Sequence, residues 1–273
     1  VIELIRHRHA ASVCVLPCYG CRLVDHCVMP YKVLINKAEG LDMATVDVTV
    51  MGAGVFGLSV AYACLLRGAK VKVIDPAGVG TGASGGIIGA LAPHVPEQWN
   101  EKKAFQLDSL LMQAAFWKQV GVQSGQPTGY ARNGRLQPLA DLAAVDLAKT
   151  RAQGAQSLWQ GQASWDVIKA PTAQWAPPSP SGLVVFDTLS ALVHPRQATL
   201  ALGEAVIALG GLIDTIGMPQ GKIVWATGWA GLENMTAQHH RLVGSGVKGQ
   251  GALLEFNASG LPQLYADTLH IIP

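Results

Sequence analysis

The chain has 273 residues, of which 49% are hydrophobic, 14% are charged and 31 are glycine. Its length is enough for one large α/β domain or two modest ones, and its composition favours a buried parallel sheet with tight loops over disorder or a coiled coil. The net charge of +2 gives no basic surface, so nucleic-acid binding is not expected.

Residues 1–42 show no sustained period of 2 or 3.6 residues. The spacing of their first three cysteines is that of a radical S-adenosylmethionine iron–sulfur site, but Tyr19 stands one position early for that pattern. Nearby histidines offer a zinc set as an alternative. We interpret the segment as an extension upstream of a start near Met43, neither a metal site nor a signal peptide. The residues concerned are Cys14, Cys18, Cys21, Cys27, His7, His9 and His26.

One cysteine, Cys64, follows that cluster. Such usage argues against a disulfide framework and predicts a reducing compartment, the cytoplasm.

The segment Val46–Asp75 is typical of a nucleotide-binding β-α-β unit. It predicts a strand over Val46–Met51, a helix that ends at Leu66 and a strand over Lys70–Ile74, with Gly52-Ala53-Gly54-Val55-Phe56-Gly57 at the first turn. In this fingerprint the first glycine makes the turn, the second admits a pyrophosphate and the third lets the helix pack on the strand. The helix start favours an anion. A dinucleotide site is therefore predicted here.

Asp75 ends the second predicted strand. Its carboxylate would accept hydrogen bonds from a ribose 2′-hydroxyl and repel a 2′-phosphate, which disfavours NADP. An alternative reading takes the uncharged run Val48–Leu66 as a membrane span, since its length is sufficient. Its glycines and the alternating strand that follows favour the β-α unit, so no span is expected.

The next segment, Pro76–His94, is rich in glycine and carries Ile87, Ile88 and Leu91 among its glycines. A flexible linker does not need these apolar residues, whereas a backbone lying against a flat apolar ligand does. The fingerprint, the acid and Ser84-Gly85-Gly86 together resemble the D-amino-acid oxidase and glycine oxidase (DAO) superfamily of flavoproteins.

This resemblance implies a Rossmann-like FAD-binding domain with a parallel sheet, over 43–125 and 190–240. An interleaved α+β substrate domain with a mainly antiparallel sheet would occupy 126–189 and 241–273. The cofactor implied is FAD, and the reaction is oxidation of a small amine or amino acid by hydride transfer from the substrate carbon to flavin N5. The implied FAD contacts are Gly52, Ala53, Gly54, Val55, Phe56, Gly57, Asp75, Pro76, Ser84, Gly85, Gly86, Ile87, Gly89, Leu91, Ala226, Thr227, Gly228 and Trp229.

No catalytic residue is identified, although His94, Arg132 and Arg135 are candidates. His94 is the one ionisable group of its run, and a histidine that stabilises a turn is the alternative. The arginines flank an Asn133-Gly134 turn and could bind a carboxylate bidentately, or lie on the surface. Two other functions stay open: an NAD-dependent dehydrogenase, and a nucleotide-binding protein that has lost activity. The substrate, the electron acceptor and the oligomeric state are not predicted.

Later elements are predicted in chain order: a helix over Asn100–Gly121, a helix over Asp141–Ala155, an irregular excursion over Trp159–Pro180, a strand over Val184–Phe186, a helix from Pro195 to Leu209, and strands over Leu212–Ile216 and Lys222–Trp225. The resemblance further implies that the substrate domain begins with strands that turn at Asn133-Gly134 and that the chain returns to it in a strand over Val247–Leu254. In the resembling family a further segment follows and carries a flavin loop and a substrate-binding arginine. We therefore expect a chain truncated after Pro273.

Overall fold

The computed structural model describes residues 45–273, and the predictions made for residues 1–42 lie outside this part of the chain. Its elements are β1 (Val48–Met51), α1 (Val55–Leu65), β2 (Val71–Ile74), a 3-10 turn (Ala83–Gly85), β3 (Ala90–Leu91), α2 (Glu101–Ser124), β4 (Arg135–Pro138), α3 (Leu142–Leu158), β5 (Trp165–Lys169), β6 (Leu183–Asp187), β7 (Ala191–Leu192), α4 (Pro195–Ala208), β8 (Leu212–Asp214), β9 (Lys222–Trp225), α5 (Gly228–His239), β10 (Gln263–Ala266) and β11 (Leu269–Ile271).

A parallel sheet carries the nucleotide fingerprint. Its strand order is β8-β2-β1-β9, and every pair in it is parallel. The chain builds outward from β1 through β2 to β8 and then returns to the other side of β1 with β9. Such a reversal opens a crevice at the carboxyl ends of β1 and β9, where ligands bind in sheets of this kind. The fold therefore directs attention to the loops after β1 and β9.

The helices that cover this sheet approach one another through small side chains. The buried core beneath α1 and α4 includes Ala61, Ala201 and Ala205, together with Leu58 and Leu202. Because alanine side chains are small, the two helices can lie close together and still fill the interior without voids. Helix α2 completes the layer, and its Phe116 meets Tyr62 of α1 edge to face, with the ring centroids 5.9 Å apart.

A second sheet has the order β11-β10-β4-β6-β5. Three of its pairs are antiparallel, and β10 with β4 is parallel. The predicted combination of a parallel sheet with a mainly antiparallel one is confirmed. Helix α3 packs on β5, where Trp159 and Trp165 are buried in one apolar cluster with Val145.

Several local predictions were wrong. Asn133-Gly134 does not join a hairpin, because β4 pairs with β6 and β10 while Ala131 forms an isolated bridge to Leu192. The excursion over Trp159–Pro180 contains the strand β5, and 247–254 lies outside any strand. Helix α5, which follows β9, was not predicted.

The second sheet buries an ion pair between adjacent strands. Arg135 of β4 lies opposite Asp187 of β6, and its Nε donates to the aspartate at 3.1 Å. The carboxylate also accepts from the backbone N–H and the hydroxyl of Ser190, at 2.7 and 3.0 Å. Both partners are buried, with Asp187 fully so. Because Asp187 is removed from water, its negative charge would be left uncompensated if the arginine were lost.

We therefore predict that Arg135→Met lowers the free energy of unfolding by about 3–5 kcal/mol, because it leaves the buried Asp187 charge without its partner. The partly exposed pair Lys72–Asp214 provides the control, because its aspartate stays in contact with water, and Lys72→Met should cost less than about 1 kcal/mol. Urea unfolding followed by circular dichroism measures both. Equal losses in the two variants would contradict the assignment.

Candidate cofactor-binding site

The turn after β1 is held by backbone contact with the end of β9. The Ala226 N–H donates to the Met51 carbonyl at 2.8 Å. Gly52 adopts a φ of 113°, and a Cβ on it would overlap the Ala226 carbonyl oxygen. Only glycine combines that backbone conformation with so close an approach. The fingerprint and the Ala226-Thr227-Gly228 segment are thus adjacent, as two of the predicted contact groups require.

The N-terminus of α1 is open at this turn. Its N-cap residue, Gly54, provides no side chain, and the first turn contains no acidic residue. The Val55 N–H donates to the Ser84 hydroxyl at 2.9 Å. The N–H groups of Gly54 and Phe56 donate to no atom of residues 45–273. Unpaired N–H groups and the helix dipole together favour an anion at this end.

Asp75 lies beside the same turn. One of its carboxylate oxygens accepts from the Ala53 N–H at 2.8 Å, and the other accepts from the Ala77 N–H at 3.0 Å. These two bonds fix the carboxylate at the end of β2. Each oxygen keeps further acceptor capacity, so the group can still receive a hydroxyl donor.

The loop between Gly78 and Gly85 connects these parts. The Gly80 N–H donates to the Ala53 carbonyl at 3.0 Å, which ties the loop to the fingerprint. Helix α4 holds the far end of the loop, where the Arg196 guanidinium donates to the Gly85 carbonyl at 3.1 Å. Thr199 of α4 packs against Gly80. Sequence reasoning missed Arg196 and Thr199, because nothing in the local pattern marks a contact with residues more than one hundred positions away.

The other predicted contacts are spread along the chain after Ser84. Gly86 and Ile87 are exposed. Gly89 packs against the Val193 carbonyl. Leu91 belongs to β3, which pairs with β7. Pro76 follows Asp75 directly, and Trp229 of α5 is half exposed and contacts Gly246.

Each candidate catalytic residue has hydrogen-bond partners within the protein. The His94 N–H donates to the Gln106 side chain at 2.7 Å. Arg132 donates to the carbonyls of Thr188 and Gln162, at 2.8 and 3.0 Å. Since Arg135 is paired with Asp187, each arginine already spends part of its donor set within the protein.

A small cluster of polar side chains surrounds Arg135 on the second sheet. Its guanidinium carbon lies 5.7 Å from the centre of the Tyr265 ring, and that ring lies 4.5 Å from the His270 ring. Partial desolvation, and then the positive charge of Arg135, lower the pKa of His270 below its ordinary value, although the residue is exposed. The shift favours the neutral imidazole, which has one donor and one acceptor nitrogen.

Fold and site together define a nucleotide-binding α/β protein with a second, mixed sheet. A family model described as FAD dependent oxidoreductase (DAO) matches residues 47–215, more than half of the chain. The chain belongs to this family, whose cofactor is FAD. Among residues 45–273, no helix is both long and apolar enough to cross a membrane.

Individual relatives agree with this assignment. "Probable oxidoreductase OrdL" of Haemophilus influenzae is 29% identical over 177 residues, which cover 60% of this chain and 40% of that protein. The chain therefore matches less than half the length of this curated relative. The glycine oxidase of Geobacillus kaustophilus superposes with a TM-score of 0.63 at 14% identity, covering 83% of this chain and 68% of the other.

Iminodiacetate oxidase of Chelativorans sp. BNC1 superposes with a TM-score of 0.60 at 19% identity, covering 81% of this chain and 66% of the other. At such identities the two superpositions establish the shared fold.

We predict that Gly57→Ala disrupts the fingerprint turn, because a Cβ there would overlap the Gly52 carbonyl oxygen. Overpacking against backbone should cost about 1–3 kcal/mol or more. Gly82→Ala is the matched control, since φ at Gly82 is −87° and a Cβ would meet no atom within 4 Å. Thermal unfolding measures both variants. A Gly57→Ala protein as stable as Gly82→Ala would contradict the packing described.

Proposed function

We propose that this chain binds FAD with its pyrophosphate at the N-terminus of α1 and acts in the oxidation of a small amine or amino acid. The observation that carries the proposal is the uncapped helix start, where the Gly54 and Phe56 N–H groups lack acceptors among residues 45–273. Membership of the FAD dependent oxidoreductase family supports it.

The residues at the site fit FAD in three respects. The bare glycine backbone at Gly52–Gly54 leaves space for a pyrophosphate, the helix start supplies donors, and Asp75 supplies a fixed carboxylate for the adenosine ribose. Backbone donors and a dipole hold phosphate oxygens without needing a side-chain cation. FAD has no 2′-phosphate for Asp75 to repel. Ser84 can donate its hydroxyl proton to a phosphate oxygen while it accepts from Val55.

The flavin, when bound, supplies the hydride acceptor at N5. The protein then has to orient the substrate, exclude water and fix the charges near the reacting carbon. We propose that Gly85, Gly86 and Ile87 line the cofactor beyond Ser84, because this glycine-rich stretch is half exposed or exposed next to the pyrophosphate position. The names of its structural relatives, glycine oxidase and iminodiacetate oxidase, support an amino acid as substrate.

The expected experimental result is a yellow protein. The purified chain, incubated with FAD and passed through a desalting column, should keep the flavin absorbance, and its visible band should bleach anaerobically with a small amino acid. A protein that stays colourless and binds NAD would contradict the flavin assignment. A protein that binds FAD but never bleaches with any amine or amino acid would instead support the alternative of a nucleotide-binding protein without activity.

Asp75 allows a sharper prediction about the ribose. We expect the unaltered chain to bind ADP about tenfold more tightly than 2′-deoxy-ADP, because only ADP offers the Asp75 carboxylate a 2′-hydroxyl donor. Asp75→Ala should remove this preference. Competition of each nucleotide with FAD measures it, and Asp47→Ala, at a carboxylate that accepts from the Lys70 N–H away from the turn, is the control. Persistence of the preference in Asp75→Ala would overturn the assigned role.

A further inference from the structure

Arg196 lies in an electrostatically unfavourable place. It is the second residue of α4, which begins at Pro195 and has no acidic residue in its first turn. The N-terminus of a helix carries partial positive charge, so a cation in the first turn is repelled. The ion pairs found among residues 45–273 are Lys72–Asp214, Arg135–Asp187 and Arg151–Glu97. Arg196 therefore has no carboxylate partner in the described part of the chain.

The guanidinium of Arg196 is nevertheless held at a definite point. One of its nitrogens donates to the Gly85 carbonyl at 3.1 Å. Gly85 follows Ser84, whose hydroxyl accepts from the Val55 N–H at the start of α1. The turn over Ala83–Gly85 thus lies between two helix N-termini, and Arg196 reaches it from the second. An arginine has five N–H donors, so the exposed Arg196 side chain keeps most of them available for a ligand next to this turn.

We propose that Arg196 is a phosphate-binding residue, whose charge completes the anion site formed by the α1 N-terminus and Ser84 and binds the pyrophosphate of a dinucleotide. The inference rests on the proposed function, which assigns the pyrophosphate to that helix start. Without an anion, the cation in the first turn of α4 is repelled by the dipole of that helix. A bound pyrophosphate reverses the sign of that interaction, because charge-assisted bonds from guanidinium to phosphate are among the strongest in proteins.

The turn that carries Gly85 is closely packed, so the carbonyl that Arg196 contacts has a fixed position. A Cβ on Gly85 would overlap the Gly80 carbonyl oxygen, so the loop packs backbone on backbone at that point. Gly80 in turn bonds Ala53 of the fingerprint and packs against the buried Thr199, one turn along α4 from Arg196. The loop therefore links Arg196 of α4 to the start of α1 through packing contacts and hydrogen bonds.

The test measures how the affinity for FAD and for ADP depends on salt. Arg196→Gln keeps a donor for the Gly85 carbonyl but removes the charge, and Arg196→Lys keeps the charge. Arg67 is the matched control, since it also donates to a backbone carbonyl, that of Ala63 at 2.7 Å, but at the far end of α1. Titrations of FAD, ADP and adenosine over a range of potassium chloride concentrations give the dissociation constants.

Arg196→Gln should raise the dissociation constants of FAD and ADP about tenfold or more and flatten their salt dependence. Adenosine, which has no phosphate, should bind as it does to the unaltered chain. Arg196→Lys should recover part of the affinity and the salt dependence, and Arg67→Gln should change nothing.

Three results would overturn the proposal. The first is that Arg196→Gln leaves the affinity for FAD unaltered. The second is that it weakens the binding of ADP and of adenosine equally, and the third is that FAD and ADP binding keep their full salt dependence. If the unaltered chain binds neither FAD nor ADP, the proposed function fails, and this inference fails with it.

Discussion

The contact between backbones at the first turn of the nucleotide unit determines the geometry of the whole site. Gly57 of α1 packs directly on the Gly52 carbonyl, and Gly52 packs on the Ala226 carbonyl at the end of β9. The turn at Gly52, the start of α1 and the end of β9 are thereby held in direct backbone contact, although β9 is far away in the sequence. The N-cap residue of that helix, Gly54, has no side chain, and the N–H groups of Gly54 and Phe56 donate to no atom of residues 45–273. The helix end is therefore free to hold an anion.

The second sheet contains a different kind of interaction between its central strands, a buried ion pair. Arg135 of β4 and Asp187 of β6 lie opposite each other, and both side chains are buried. Replacing such a pair by apolar residues is often neutral or stabilising, so burial of charge is weak grounds for a stabilising role. The pair does fix which residues lie opposite each other across β4 and β6, because a shift of one residue would leave a buried charge alone. It also places a positive charge near Tyr265 and His270, where the mixed sheet carries its polar side chains.

The sequence predicted what depends on local pattern. The fingerprint with its flanking strands, the Asn100 and Asp141 helix starts and the proline start of α4 all lie within two residues of their predicted positions. The return strand over 247–254 and the hairpin at Asn133 failed, because strand pairing is decided by partners far along the chain. Arg196 escaped notice for the same reason: a first-turn arginine is unremarkable until its helix is seen beside the turn at Gly85.

The charges around the fingerprint follow the order expected of a dinucleotide site. Asp75, a fixed anion, is held beside the same turn by its bonds to the Ala53 and Ala77 N–H groups. The first turn of α1 is free of acidic side chains, and an arginine from a second helix donates to Gly85, the residue after Ser84. Had Asp75 been in the first turn of α1 it would have satisfied the orphan N–H groups itself and closed the site. Because Asp75 lies at the end of β2 and not in the first turn of α1, the N–H groups of the helix start stay open and the carboxylate keeps acceptor capacity of its own.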